Sequence, residues 1–133
     1  MLRDSFTIDL ILSHPSRSAR SIAKALSVKP QLTGSNQRAR QTYLKVVLQN
    51  GNSPAKFRLA LPKVVRFLRK NKTFWKKFLA EKGSGEIVFN HAIFPQTEKG
   101  DKCFELSLTS AFCEHFSASG LGLKIQGWVK KSS

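Results

Sequence analysis

At 133 residues the chain is long enough to bury a core without metals or disulfides, and it reads as one domain spanning 1–133. An apolar share of 41% with ten Phe excludes a disordered chain, and two cysteines are too few for a disulfide scaffold. The outlier is charge: 23 Lys and Arg against 8 Asp and Glu leave a formal +15, a density that calls for a polyanionic partner.

Met1 to Asp4 leads into SFTIDLILSH, an apolar run too short and too acidic for a signal peptide. No run approaches the roughly 20 apolar residues that a membrane span requires. The expectation is a cytoplasmic protein without membrane contact, its thiols at Cys103 and Cys113 free.

Phe6 to Ser13 alternates as a strand, with Phe6, Ile8, Leu10 and Leu12 on one face and Thr7, Asp9 and Ile11 on the other. His14-Pro15-Ser16 stops it, and Ser16 or Ser18 caps a helix through about Leu26 whose inner face is Ala19, Ile22, Ala23 and Leu26. Val28 to Arg40 has the polar, Gly/Pro-containing composition of a loop. Tyr43 to Gln49 is a second strand, Asn50-Gly51 reads as a hairpin turn, and Lys56 to Ala60 as the returning strand with Phe57 and Leu59 inward.

The most conspicuous stretch is Leu61 to Lys82. On a helix, Leu61, Val64, Val65, Leu68, Trp75, Phe78 and Leu79 share one face, while Lys63, Arg66, Arg69, Lys70, Lys76 and Lys77 take the opposite one. Pro62 suits the first turn. In one straight helix Lys72 would point inward, so a break is expected near Asn71, either a kink or two helices end to end with Thr73 as a cap. Gly83-Ser84-Gly85 ends the helix.

Glu86 to Phe94 is a strand, Pro95 to Lys102 a turn, and Cys103 to Leu108 another alternating strand. Ser110 caps a short helix carrying Phe112 and Phe116, Gly120 and Gly122 break it, and Leu123 to Val129 closes the chain as a strand before a frayed tail. This order predicts an α+β sandwich: helices on one face of a mostly antiparallel sheet, with a ferredoxin-like core and an extra strand–helix–strand unit.

Three segments carry a family resemblance: FTIDLILSHPSRSARSIAKALSVKP, LPKVVRFLRKNKTFWKKFLAEKG and FELSLTSAFCEHFSASGLGLKIQGW. Together they resemble a family of small bacterial α+β proteins of unknown function, some of whose members lie near toxin–immunity loci. The resemblance implies a fold and transfers no catalytic residue.

The chemistry-bearing residues form no motif. On a helix, Cys113 and His115 point about 200° apart, a poor start for one metal, and Cys113 reads as a small buried side chain. The eight acids are scattered with no pairing for acid–base work, and GSG at 83–85 opens a strand rather than a helix, the wrong setting for a phosphate loop. No enzyme, metal or cofactor is expected. What remains is the basic surface: ten cations and one acid, Glu81, lie between Lys56 and Lys82. The reading is a non-catalytic module contacting a nucleic-acid backbone or another polyanion through Lys63, Arg66, Arg69, Lys70, Lys76 and Lys77, with Arg38 and Arg40 from the preceding loop. The alternative is an immunity- or inhibitor-like module that binds an acidic protein.

Overall fold

The computed structural model describes residues 5–36, 38, 40–93 and 107–129. Strand β1, Ser5–His14, follows the alternation: Phe6, Ile8, Leu10 and Leu12 are buried in the core. Helix α1, Ala19–Leu26, is capped by Ser18, whose hydroxyl accepts the Ser21 N–H at 3.1 Å, and buries Ile22, Ala23 and Leu26. It ends at Ser27 in the left-handed region (φ 55°), with the Val28 N–H returning to the Ala23 carbonyl at 3.0 Å.

The expected loop from Val28 contains a strand, β2, Leu32–Asn36. It pairs antiparallel with β3, Gln41–Gly51, from Leu32 opposite Lys45 to Asn36 opposite Gln41. Leu32, Thr33, Gly34 and Ser35 are all exposed, so the strand leaves no two-residue apolar pattern and is held by ladder hydrogen bonds.

No hairpin forms at Asn50-Gly51. Gly51 is the last residue of β3, and Ser53 accepts the Lys56 N–H at 3.2 Å to cap a helix with Pro54 in its first turn. That helix, α2, runs Pro54–Lys70, so Lys56 to Ala60 is helical rather than a returning strand, and Leu59 points outward at 70% exposure. Pro62 therefore sits inside the helix, on its solvent side, where water can reach the Arg58 carbonyl that loses its partner.

The helix breaks at Asn71, as the position of Lys72 requires. Asn71 takes φ −101° and ψ 23°, its side-chain amide donates to the Phe67 carbonyl at 2.9 Å, and α3 follows as Lys72–Ala80. The cap is Asn71 and not Thr73. Trp75 spans the break: its indole N–H donates to the Leu68 carbonyl at 3.2 Å while its ring is fully buried. With the helix redirected, Lys72 is exposed. The left-handed residue after α3 is Lys82 (φ 68°), whereas Gly83 is there for space: a Cβ at Gly83 would sit 2.6 Å from the Phe78 ring.

Strand β4, Ser84–Ile93, pairs antiparallel with β1. Helix α4, Ser110–Ser119, is capped by Thr109, one residue before the expected Ser110, and Gly120 (φ 72°) ends it. Strand β5, Gly122–Val129, lies parallel to β4. The expected turn at Pro95 to Lys102 and the residues Cys103 to Leu106 lie outside the described residues, as does the tail after 129; Ser107 and Leu108 are not in a strand.

The strand order is β2-β3-β1-β4-β5, with β1 antiparallel to both neighbours and β4–β5 parallel. The sheet is therefore mixed, where a mostly antiparallel one is expected. The reason is the connection through α4, which returns the chain to the end of the sheet where β4 began, and a strand entered from that end must run parallel. All four helices contribute buried side chains to one core with the inward face of β1, β3 and β4. Within it, rings touch in succession from Phe6 through Phe57, Phe89 and Phe112 to Phe116. No helix among the described residues is long and apolar enough to cross a membrane.

Candidate polyanion interface

Burying Phe57, Ala60, Leu61, Val64 and Leu68 fixes the rotation of α2, and the remaining positions must face water. Those positions carry Lys56, Arg58, Lys63, Arg66, Arg69 and Lys70, all exposed. In α3 the anchors are Trp75 and Phe78, which turns Lys72, Lys76 and Lys77 outward; Lys82 beyond it is exposed as well. The predicted six, Lys63, Arg66, Arg69, Lys70, Lys76 and Lys77, thus lie on the solvent side of two consecutive helices, and Lys56, Arg58, Lys72 and Lys82 extend the set.

Arg38 and Arg40 are exposed on the turn between β2 and β3, with Arg40 at φ 51°. That turn leaves the sheet at the end where Thr42 pairs with His14. His14 in turn reaches Glu81 just past α3, so the turn and the end of α3 share one end of the molecule.

The single acid of the segment is already engaged. Arg17 forks onto Glu81, Nε to Oε1 at 2.7 Å and Nη2 to Oε2 at 3.1 Å. His14 is fully buried; its Nδ1 accepts the backbone N–H of Ser16 at 3.0 Å and of Arg17 at 2.8 Å. Nε2 must then carry the proton, and it donates to Glu81 Oε1 at 3.2 Å. Arg17, with a smaller contribution from His14, holds the Glu81 carboxyl below the usual carboxylate range. The Arg17 guanidinium also lies 5.8 Å from the Phe74 ring, and the His14 ring 5.0 Å from Phe78. This cluster clamps the β1–α1 turn to the end of α3.

Among the described residues the ion pairs are Arg17–Glu81 and Lys45–Asp9, with His14 on Glu81 as a hydrogen bond. None takes a cation of α2 or α3. The Glu81 cluster was out of reach of sequence reading, because its partners lie 64 and 67 positions away.

Cys113 is exposed on α4, not buried as expected, while Cys103 lies outside the described residues. Among the described residues, no three of the His, Cys, Asp and Glu side chains gather as a metal-binding group. Compared with known proteins, the chain matches no family model, no curated protein and no solved structure. The family resemblance therefore rests on its three segments alone.

Proposed function

We propose that the chain is a non-catalytic basic binding module that engages the backbone of a nucleic acid, or a polyanion of similar charge spacing, through the solvent side of α2 and α3. The observation that carries this reading is the set of ten exposed cations on Lys56 to Lys82 with no acid paired to them among the described residues. Left facing one another, such charges repel, and a row of phosphates removes that repulsion while releasing condensed counterions. Arg66 and Arg69 supply planar forks for phosphate oxygens; Lys63, Lys70, Lys76 and Lys77 supply point charges. Arg38 and Arg40 extend the positive surface at the α3 end.

Fluorescence anisotropy of labelled mixed-sequence DNA and RNA, titrated at two salt concentrations, tests the reading. Binding at low salt that weakens steeply with added salt is expected. Absence of binding at low salt sinks it, as does an affinity indifferent to Arg66→Glu with Lys70→Glu.

A second reading, an immunity- or inhibitor-like module for an acidic protein, is favoured by Leu59. It stands 70% exposed amid Lys63 and Arg66, where a phosphate backbone has no use for an apolar side chain. A stoichiometric acidic protein retained after nuclease treatment and lost on Leu59→Asp supports this reading over the first; loss of the captured material on nuclease treatment counts against it.

For the fold, we propose the ferredoxin-like reading of the first part of the chain. The order β2-β3-β1-β4, antiparallel throughout, with α1 and the α2–α3 pair as the connections, supports it. Helix α4 and β5 are then the described part of the appended unit.

A further inference from the structure

The sheet face turned away from the helices carries a site of a different kind. Its centre is Asp9, which alternates out of the core between Ile8 and Leu10 yet is only 2% exposed. Asp9 Oδ2 accepts from the Asn90 side-chain amide and, at 3.3 Å, from the Thr7 hydroxyl, and Lys45 Nζ stands 3.8 Å away. Asp9 Oδ1 is buried and has no hydrogen-bond partner among the described residues. A carboxylate oxygen left so is costly, and Asp9 is one of the residues lining a groove on this face. That groove encloses about 450 Å³, and the described residues that line it belong to strands β1, β3, β4 and β5. Its size falls within the range of small-molecule sites.

The charges along the groove say what fits. Among the described lining residues Asp9 and Glu86 are matched by Lys45 and Lys124, a balanced set in a chain of net charge +15. A polyanion gains no net attraction here. A metal ion is opposed by the Lys45 ammonium beside Asp9, the only buried carboxylate among the described residues. Lys124 and Glu86 have no ion-pair partner among the described residues.

In register, Lys124 faces Val88, and Val88 faces Asp9. Lys124 and Asp9 are thus two strand spacings apart, roughly 10 Å between backbones, with an apolar floor between them. The bulge between β1 and β3 falls at the same point: the register slips between Ile8 and Asp9, leaving Leu48 unpartnered.

We propose that this groove binds a small zwitterion of the amino-acid class. Its ammonium donates to Asp9 Oδ1, its carboxylate meets Lys124, and its hydrocarbon part lies over Val88. The site is on the opposite face from α2 and α3, so it stands or falls independently of polyanion binding.

The test is a two-dimensional amide NMR titration of the full chain with each of the twenty free amino acids at millimolar concentration. For each binder, its N-acetyl derivative is titrated alongside. Saturable shifts are expected at Asp9, Asn90 and Lys124, with binding lost on N-acetylation. Asp9→Asn and Lys124→Met should each weaken binding about tenfold or more, as loss of a charge-assisted contact does. Both variants should keep the wild-type anisotropy titration with nucleic acid. Lys124 is exposed, so its replacement reports on binding even where Asp9→Asn disturbs folding. The proposal is overturned if no amino acid shifts these amides, leaving solvent to satisfy Asp9, if the acetylated ligand binds equally well, or if Lys124→Met binds as wild type.

Discussion

Replacing Arg66 and Lys70 by Gln puts a number on the cationic surface. On duplex DNA each phosphate neutralised contributes a slope of about −0.9 to log K against log salt. Were all six of Lys63, Arg66, Arg69, Lys70, Lys76 and Lys77 in contact, the slope would be about −5, and a fourfold rise in salt would cost roughly a thousandfold in affinity. Removing two contacts brings the slope to about −3.5, so the same rise in salt costs only about a hundredfold. Both side chains are exposed and lie in no ion pair among the described residues, so the fold should tolerate the change to within about 0.5 kcal/mol. Anisotropy over a salt series, with thermal melting as the folding control, reads both quantities. A double variant with the wild-type slope and an unchanged melt refutes the placement of the contacts on α2. If Arg38 and Arg40 also engage, the wild-type slope approaches about −7, and their own replacement lowers it by about 2.

Two further outcomes follow from the clamps that shape this surface. Trp75→Phe keeps the ring packed against Phe67 and Phe74 but strips the donor from the Leu68 carbonyl. Denaturant unfolding should show a loss of about 1–3 kcal/mol, and a loss near zero would mean that the indole bond does not hold the α2–α3 break. Glu81 has its carboxyl pKa lowered from the ordinary 4.5, chiefly by Arg17, so its clamp stabilises the fold above that value and is lost as pH falls through the lower folded one. Wild type should therefore exceed Glu81→Gln in melting temperature at neutral pH, and the gap should close on acidification; a gap independent of pH contradicts the ion pair.

The elements that were legible in the sequence are those with one wet and one dry side. β1, α1 and the inner face of α2–α3 each repeat apolar residues at the period of their secondary structure, and Lys72 on the wrong side of the stripe betrayed the break at Asn71. β2 was not legible, because neither of its faces is buried and its pairing is made by backbone groups that every residue has. The start of α2 was misread because Asn50-Gly51 is a strong turn signal, although the Ser53-Pro54 cap two residues later was in plain view. The outward side chains of the cationic surface could be read from helical spacing. The Asp9 groove could not, since Asp9 looks like an ordinary polar residue on the wet face of a strand until its burial is known.

The Glu81 cluster links stability to the surface it borders. A free carboxylate at the end of α3 would offset the nearby lysines and repel an incoming phosphate. Bound by Arg17 and His14, its charge is spent inside the clamp, while Lys72, Lys76, Lys77 and Lys82 remain unpaired among the described residues. The same contacts tie the β1–α1 turn to α3 and so hold the second half of the cationic surface at a set angle to the first. The two faces of the molecule are then electrostatically distinct by construction. The helical side concentrates uncompensated positive charge, and the described residues lining the strand-side groove set the acids Asp9 and Glu86 against Lys45 and Lys124. A ligand suited to one face is poorly suited to the other, which is why a variant on either side should leave binding at the other unchanged.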